Sequence, residues 1–310
     1  MKKRRSDYDV TDSVQTTSPE AVTVEVRRIY VDLYGKAGVG QLDQPFKDFA
    51  TLYRGQNPDF HGCDTSYHDI QHVLDVTLAM ARLLHGYQHF ARVPLDERLF
   101  RFGVILALYH DSGYIRHRND KRHENGAEYT LTHVTRSGRL LRSYLPKLDM
   151  ADLAPIAARV VHYTGFEMPI DKIKVPQPIF AVIGNLLGSA DILGQMADRC
   201  YLEKCYERLF PEFVLGGIAT RKNERGEKVV VFESGADLIF KTPLFFEHAA
   251  RRLDGDLEAV HRYVEHHFGG KNVYLEAIQN TVNYARKLVE RADIEKLRRQ
   301  PPPPGSVQSE

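Results

Sequence analysis

The chain reads as an all-α protein: a helical bundle with one small β-hairpin inserted. Three observations predict this. Apolar residues recur at helical spacing over most of the chain, helix-start and helix-stop residues bracket those stretches, and only the segment 218–232 alternates as paired strands do. The 310 residues are 43% hydrophobic and 27% charged, a globular composition long enough to bury a substantial core. Residues 1–17 are polar and charged, and 299–310 form a proline-rich tail; both are expected to be disordered. Residues 18–298 are taken as one helical domain.

Ser18-Pro19-Glu20 supplies an N-cap, a first-turn proline and a first-turn acid for a helix to about Gly35. Ser66 with Asp69 has capping-box spacing and opens a helix ending near Gly86. Leu95-Asp96-Glu97 opens the helix whose apolar run, Phe102 to Leu108, ends at His110. Leu148 to His162 is a further helix closed by Gly165. From Pro178 to Leu209 runs a long helix with glycines at 184, 188 and 194. Each glycine costs a helix about 1 kcal/mol, so close packing against a neighbour is expected there. Ile218 to Thr220 and Val229 to Phe232, joined through Lys222-Asn223-Glu224-Arg225-Gly226, form the hairpin. Thr242-Pro243 starts a helix to about Leu253, and the last helix runs from Val273 to about Arg298.

A net charge of +1 gives no bias toward nucleic acid or membrane. Lys2-Lys3-Arg4-Arg5 leads into polar residues rather than the apolar core of a secretory signal. No uninterrupted apolar run reaches the roughly 18–20 residues that span a bilayer. The cysteines, Cys63, Cys200 and Cys205, have no CxxC spacing, and a reduced, cytoplasmic protein is expected.

Two strings carry chemistry. In Tyr67-His68-Asp69-Ile70-Gln71-His72 the imidazoles stand at i and i+4, the spacing of one helical face. His110-Asp111 follows directly on a buried helix, where ligating groups cost energy unless something coordinates or pairs them. Candidate ligands are His72, His110, Asp111 and Asp191, with His123 and His162 beside them. Imidazole with carboxylate suits zinc, manganese, iron or nickel, and magnesium where oxygen dominates. These stretches contain no cysteine, which argues against a thiolate structural zinc site. His85, His89, His133, His248, His261, His266 and His267 belong to no such pattern and read as surface or packing residues.

Tyr67-His68-x-x-x-His72-x-x-Asp75-Val76 resembles the Tyr-His-Asn-x-x-His-x-x-Asp-Val signature of class I cyclic-nucleotide phosphodiesterases. Leu108-Tyr109-His110-Asp111 is similar to the His-Asp pair that names the HD superfamily, and Ser189-Ala190-Asp191-Ile192 to its late Ala-Asp element. The resemblance covers roughly residues 60–210 and implies an HD-domain helical bundle. It implies one or two divalent ions held by His72, His110, Asp111 and Asp191, with Asp111 bridging to the second. It further implies a hydroxide nucleophile, and His68 as the general acid that protonates the leaving oxygen. Asp69 stands where those enzymes have Asn, and Ser112-Gly113-Tyr114 replaces their Val-Asp-His-Pro-Gly. Their double-histidine element is also missing. Arg122-His123-Glu124-Asn125-Gly126-Ala127 is instead more like bacterial HD phosphohydrolases. That likeness makes His123 and Glu124, together with His162, candidate second-metal or phosphate contacts.

The implied activity is metal-dependent hydrolysis of a phosphate ester, above all a (cyclic) nucleotide phosphodiester. Its partner is a small phosphorylated substrate, not a nucleic acid or a membrane, and a homodimer stays open. Competing expectations are an HD-type nucleotide phosphomonoesterase or alarmone hydrolase, a di-iron oxygenase on the same fold, and a non-catalytic module that keeps a metal for stability.

Overall fold

Helices surround one central helix in the computed structural model, which describes residues 4–223 and 225–305. Expectations about residues 1–3, Glu224 and 306–310 lie outside the described residues. The first helix, α1 (Pro19–Tyr34), is capped as predicted: the Ser18 side chain accepts the Ala21 N–H, and Gly35 closes the helix with φ 77°, a backbone glycine adopts without strain. After α2 (Asp43–Tyr53) comes the central α3 (Ile70–Phe90), and α4 (Glu97–Tyr109) is capped by Asp96. Next are α5 (His133–Tyr144), α6 (Ala154–Val160) with a 3-10 turn at Val161–Tyr163, and the apolar α7 (Pro178–Met196). Short helices α8 (Tyr201–Lys204) and α9 (Phe210–Leu215) flank a π-helical turn at Cys205–Leu209. The hairpin follows, β1 (Thr220–Lys222) antiparallel to β2 (Lys228–Val230) with Thr220 opposite Val230. Helices α10 (Gly235–Arg251), α11 (Val264–His267) and α12 (Val273–Arg291) complete the chain.

Helix α3 packs against α7, α4, α1 and α11. It is buried on nearly every side from Ile70 to Tyr87, which is why apolar residues occur all round it rather than on one face. The glycines of α7 sit where the sequence expected close packing. A Cβ on Gly194 would lie 3.0 Å from the Val76 backbone on α3, and one on Gly188 only 2.6 Å from the Tyr163 carbonyl. By length and composition α7 could cross a membrane, unlike the runs counted from the sequence, but it is largely buried among its neighbours as a core helix.

Several boundaries move, each for a local reason. The long helix expected to reach Leu209 stops at Met196, because the Asp198 carboxylate accepts the Cys200 N–H and restarts the chain. Helix α10 begins at Gly235, not Thr242: Ser234 accepts the Asp237 N–H and caps a helix that carries Pro243 in its interior. The last helix ends at Arg291, where Ala292 turns to φ 47°.

Expected disorder gives way to contact at both ends. Val14 joins the hydrophobic core, and the carboxylate of Asp9 accepts the Ser13 and Val14 N–H groups and lies 2.7 Å from the Arg82 guanidinium. Both charged side chains are 2% exposed. An arginine buried in α3 needs a counter-charge, and that need orders a polar segment that composition alone leaves free. At the other end, the Pro302 carbonyl accepts from Arg208, while Arg299 stacks on Tyr284 and bonds the Arg199 carbonyl.

Candidate metal centre

Four side chains from three helices meet at the core of the bundle. The Asp69 side chain accepts the His72 N–H at 3.0 Å and caps α3, so His72 occupies the first turn and is buried. Helix α4 ends at Tyr109 and leaves His110 and Asp111 just past its terminus, both buried. Asp191 arrives from the middle of α7. His72 Nε2 and His110 Nε2 lie 3.2 and 3.3 Å from Asp111 Oδ2, and each lies 3.7 Å from Asp191 Oδ1. The ligand atoms of His72, His110 and Asp111 all fall within 4.8 Å of one another.

The electrostatics draw a cation. His110 Nδ1 donates to the Ala107 carbonyl at 2.7 Å, which turns Nε2 inward. That nitrogen is buried and has no aligned hydrogen-bond partner among the described residues. Burial disfavours a charged His110, but the Asp111 and Asp191 carboxylates outweigh it and raise its pKa to about 9. Burial likewise opposes ionised Asp111, yet the surrounding imidazoles hold it well below the usual carboxylate range. An orphaned imidazole nitrogen facing two carboxylates and a second imidazole is a donor set that fits a first-row divalent ion.

His68 departs from the expected arrangement. Helix α3 starts only at Ile70, capped by Asp69 itself rather than by a Ser66–Asp69 box, so His68 lies before the helix. Its ring stands 5.6 Å from that of His72 at 87°, not parallel on one helical face. His68 Nδ1 is 2.6 Å from Glu212 Oε2, and the other Glu212 oxygen accepts the Tyr67 N–H. Glu212 comes from α9 and is 3% exposed. Burial alone would lower the His68 pKa; the Glu212 carboxylate overrides it and raises it.

His133, which the sequence placed among packing residues, closes the other side. Its Nδ1 donates to the Thr130 carbonyl at 2.6 Å, so Nε2 keeps its lone pair, 3.5 Å from Asp111 Oδ1. Burial holds this imidazole neutral, lowering its pKa. Tyr114 is sandwiched between His68 and His133, 4.4 Å from each ring and within 20° of parallel. Neither Glu212 nor His133 carries a local sequence signal; only the chain's return brings them in.

The remaining candidates have other partners. His123 Nδ1 lies 3.0 Å from Asp120 and its ring packs on Tyr129. Glu124 is exposed, and its N–H donates to Glu128. His162 Nδ1 is 2.6 Å from Glu167. The basic run after Ile115 is also tied down, with Arg116 on Asp64 at 2.8 Å and Arg118 on the Gly55 carbonyl.

No protein-family model and no curated protein matches the chain. Among solved structures it is similar to the phosphodiesterase domain of the RhoPDE fusion protein from the choanoflagellate Salpingoeca rosetta. The identity is 14% and the TM-score 0.52, over 93% of this chain and 96% of that one. At that identity the likeness is one of fold.

Proposed function

We propose that the protein is a metal-dependent phosphohydrolase acting on a phosphodiester, with a (cyclic) nucleotide as the favoured substrate class. The observation that carries this reading is the buried convergence of His72, His110, Asp111 and Asp191 beside the His68–Glu212 pair. His72, His110, Asp111 and Asp191 would hold a divalent ion, and the unprotonated His133 Nε2 faces Asp111 Oδ1, two lone-pair donors that would suit a second ion. Such ions lower the pKa of water and neutralise charge building on a phosphoryl group.

The chain's own residues supply the rest. Glu212 fixes the His68 ring through Nδ1 and favours its protonated form, leaving the Nε2 proton for the departing alkoxide. A water that has given up one proton to solvent attacks as hydroxide; as its oxygen bonds to phosphorus, the P–O bond to the leaving alcohol breaks, and the His68 proton ends on that oxygen. Tyr114, locked between His68 and His133, excludes water from the face behind the acid. The same reading makes the partner a small soluble phosphate ester met in a cytoplasmic setting.

The test is direct. Metal analysis of the purified protein should find a divalent ion, and manganese should support hydrolysis of cyclic nucleotides or bis(nitrophenyl) phosphate. Chelator should abolish that activity, and Asp111→Ala should lack it. A folded, metal-loaded protein inert toward every phosphodiester and phosphomonoester tried would overturn the proposal.

A further inference from the structure

A second group of ligating atoms converges where α1 meets the far end of α3. His85 and His89 stand at i and i+4 in the last turns of α3, and Asp32 faces them from α1. His85 Nε2 lies 2.9 Å from Asp32 Oδ2 and 3.2 Å from His89 Nε2. All the ligand atoms of this group fall within 4.8 Å of one another. Around a tetrahedral ion with bonds of about 2.0–2.1 Å, neighbouring ligand atoms sit about 3.3 Å apart. The His85–Asp32 and His85–His89 distances are within about 0.4 Å of that, and the Asp32–His89 pair lies within 4.8 Å.

Protons alone do not satisfy the arrangement. A neutral His85 has one N–H. Placed on Nε2, it serves Asp32 and meets His89 only as a second, shared acceptor. Placed on Nδ1, as ligation through Nε2 requires, it sets the Nε2 lone pair against those of the carboxylate unless a cation lies between them. A bound cation uses all the converging lone pairs at once. The nearby guanidiniums are matched, Arg28 by Glu25 at 2.8 Å and Arg82 by Asp9 at 2.7 Å.

We propose that Asp32, His85 and His89 form a peripheral site for a zinc-class divalent ion, distinct from the centre at His72 and joining α1 to α3. Asp32 and His89 are exposed, so the ion would keep solvent-facing positions and bind reversibly.

Cobalt is a suitable probe, read by its visible absorption and by the equivalents bound at equilibrium with free cobalt when the metal-stripped full chain is titrated. Wild type should bind one equivalent more than His89→Ala or Asp32→Asn, and zinc should displace it. Both replaced side chains are exposed, so the variants should match wild type by circular dichroism. His110→Ala should lose the central equivalent and keep this one, which separates the two sites. At saturating zinc the wild-type Tm should rise about 4 °C more than that of His89→Ala. Equal cobalt stoichiometry, or equal zinc-induced shifts, would reduce the cluster to an ordinary His–Asp ion pair and overturn the proposal.

Discussion

Glu212→Gln isolates the proton-donating side of the site. The carboxylate accepts twice, from His68 Nδ1 at 2.6 Å and from the Tyr67 backbone N–H. A glutamine offers one acceptor oxygen and one NH2. If the oxygen stays with Tyr67, the NH2 faces His68 Nδ1, which must then accept; the ring becomes neutral, with its proton fixed on Nε2. If the amide flips, its NH2 meets the Tyr67 N–H. Either way the imidazolium loses its carboxylate partner, and a hydrogen bond to a charged group is worth about 1.5–3 kcal/mol, or roughly 10- to 150-fold in rate. The sign follows from the direction of the shift. Burial lowers the His68 pKa, but Glu212 raises it above the ordinary value, so the protonated acid persists below that raised pKa and is lost as pH climbs through it. In Glu212→Gln the alkaline limb of kcat/KM should therefore move to lower pH. The assay compares a nucleotide phosphodiester with a nitrophenyl ester, whose leaving group needs no proton. The nucleotide rate should fall by the stated factor and the nitrophenyl rate should barely change. Equal losses on both substrates, or an unmoved alkaline limb, would refute the assignment of His68 as general acid.

Other consequences can be checked alongside. Asp111→Asn should reduce bound divalent metal and lower phosphodiester turnover by at least about 100-fold, read by metal analysis and initial rates at fixed manganese. Asp9→Asn strands the buried Arg82 and should cost about 3–5 kcal/mol at neutral pH, measured by urea unfolding. Asp9, although burial opposes its charge, is lowered to about 2 by Arg82. Its contribution is therefore full above the unfolded value near 4 and fades as pH falls toward 2, so the gap between wild type and variant should narrow there. An unchanged gap at pH 2.5 would contradict this. Gly86→Ala would set a Cβ 1.8 Å from the Tyr263 carbonyl; a loss of at least about 2 kcal/mol in unfolding free energy is expected.

The helical class, the caps at Ser18 and Asp96, the hairpin and the close packing of the α7 glycines were all legible, because each rests on a few neighbouring residues. So were His72, His110, Asp111 and Asp191 as candidate ligands, since short strings mark them. Helices α2 and α5 carry no such local mark: their N-cap residues, Leu42 and Thr132, accept no backbone N–H through a side chain. Ser66 and Asp69 have capping-box spacing, but Asp69 itself caps α3 by accepting the His72 N–H, which sets His68 outside the helix.

By itself the sequence determined a mainly helical chain and a set of ligating residues in order along it. Tertiary structure alone decided which of its histidines share a centre. Glu212 lies 144 residues from His68 and still sits 2.6 Å from its ring; His133 meets Asp111 only because α5 packs beside α4. Burial also reversed what composition suggested at the N-terminus, where Arg82 draws Asp9 and the strand of chain around it onto the core. The physical reason is common to these cases. A side chain's partner, its solvent exposure and its protonation depend on what the fold brings near it, and no local spacing encodes that.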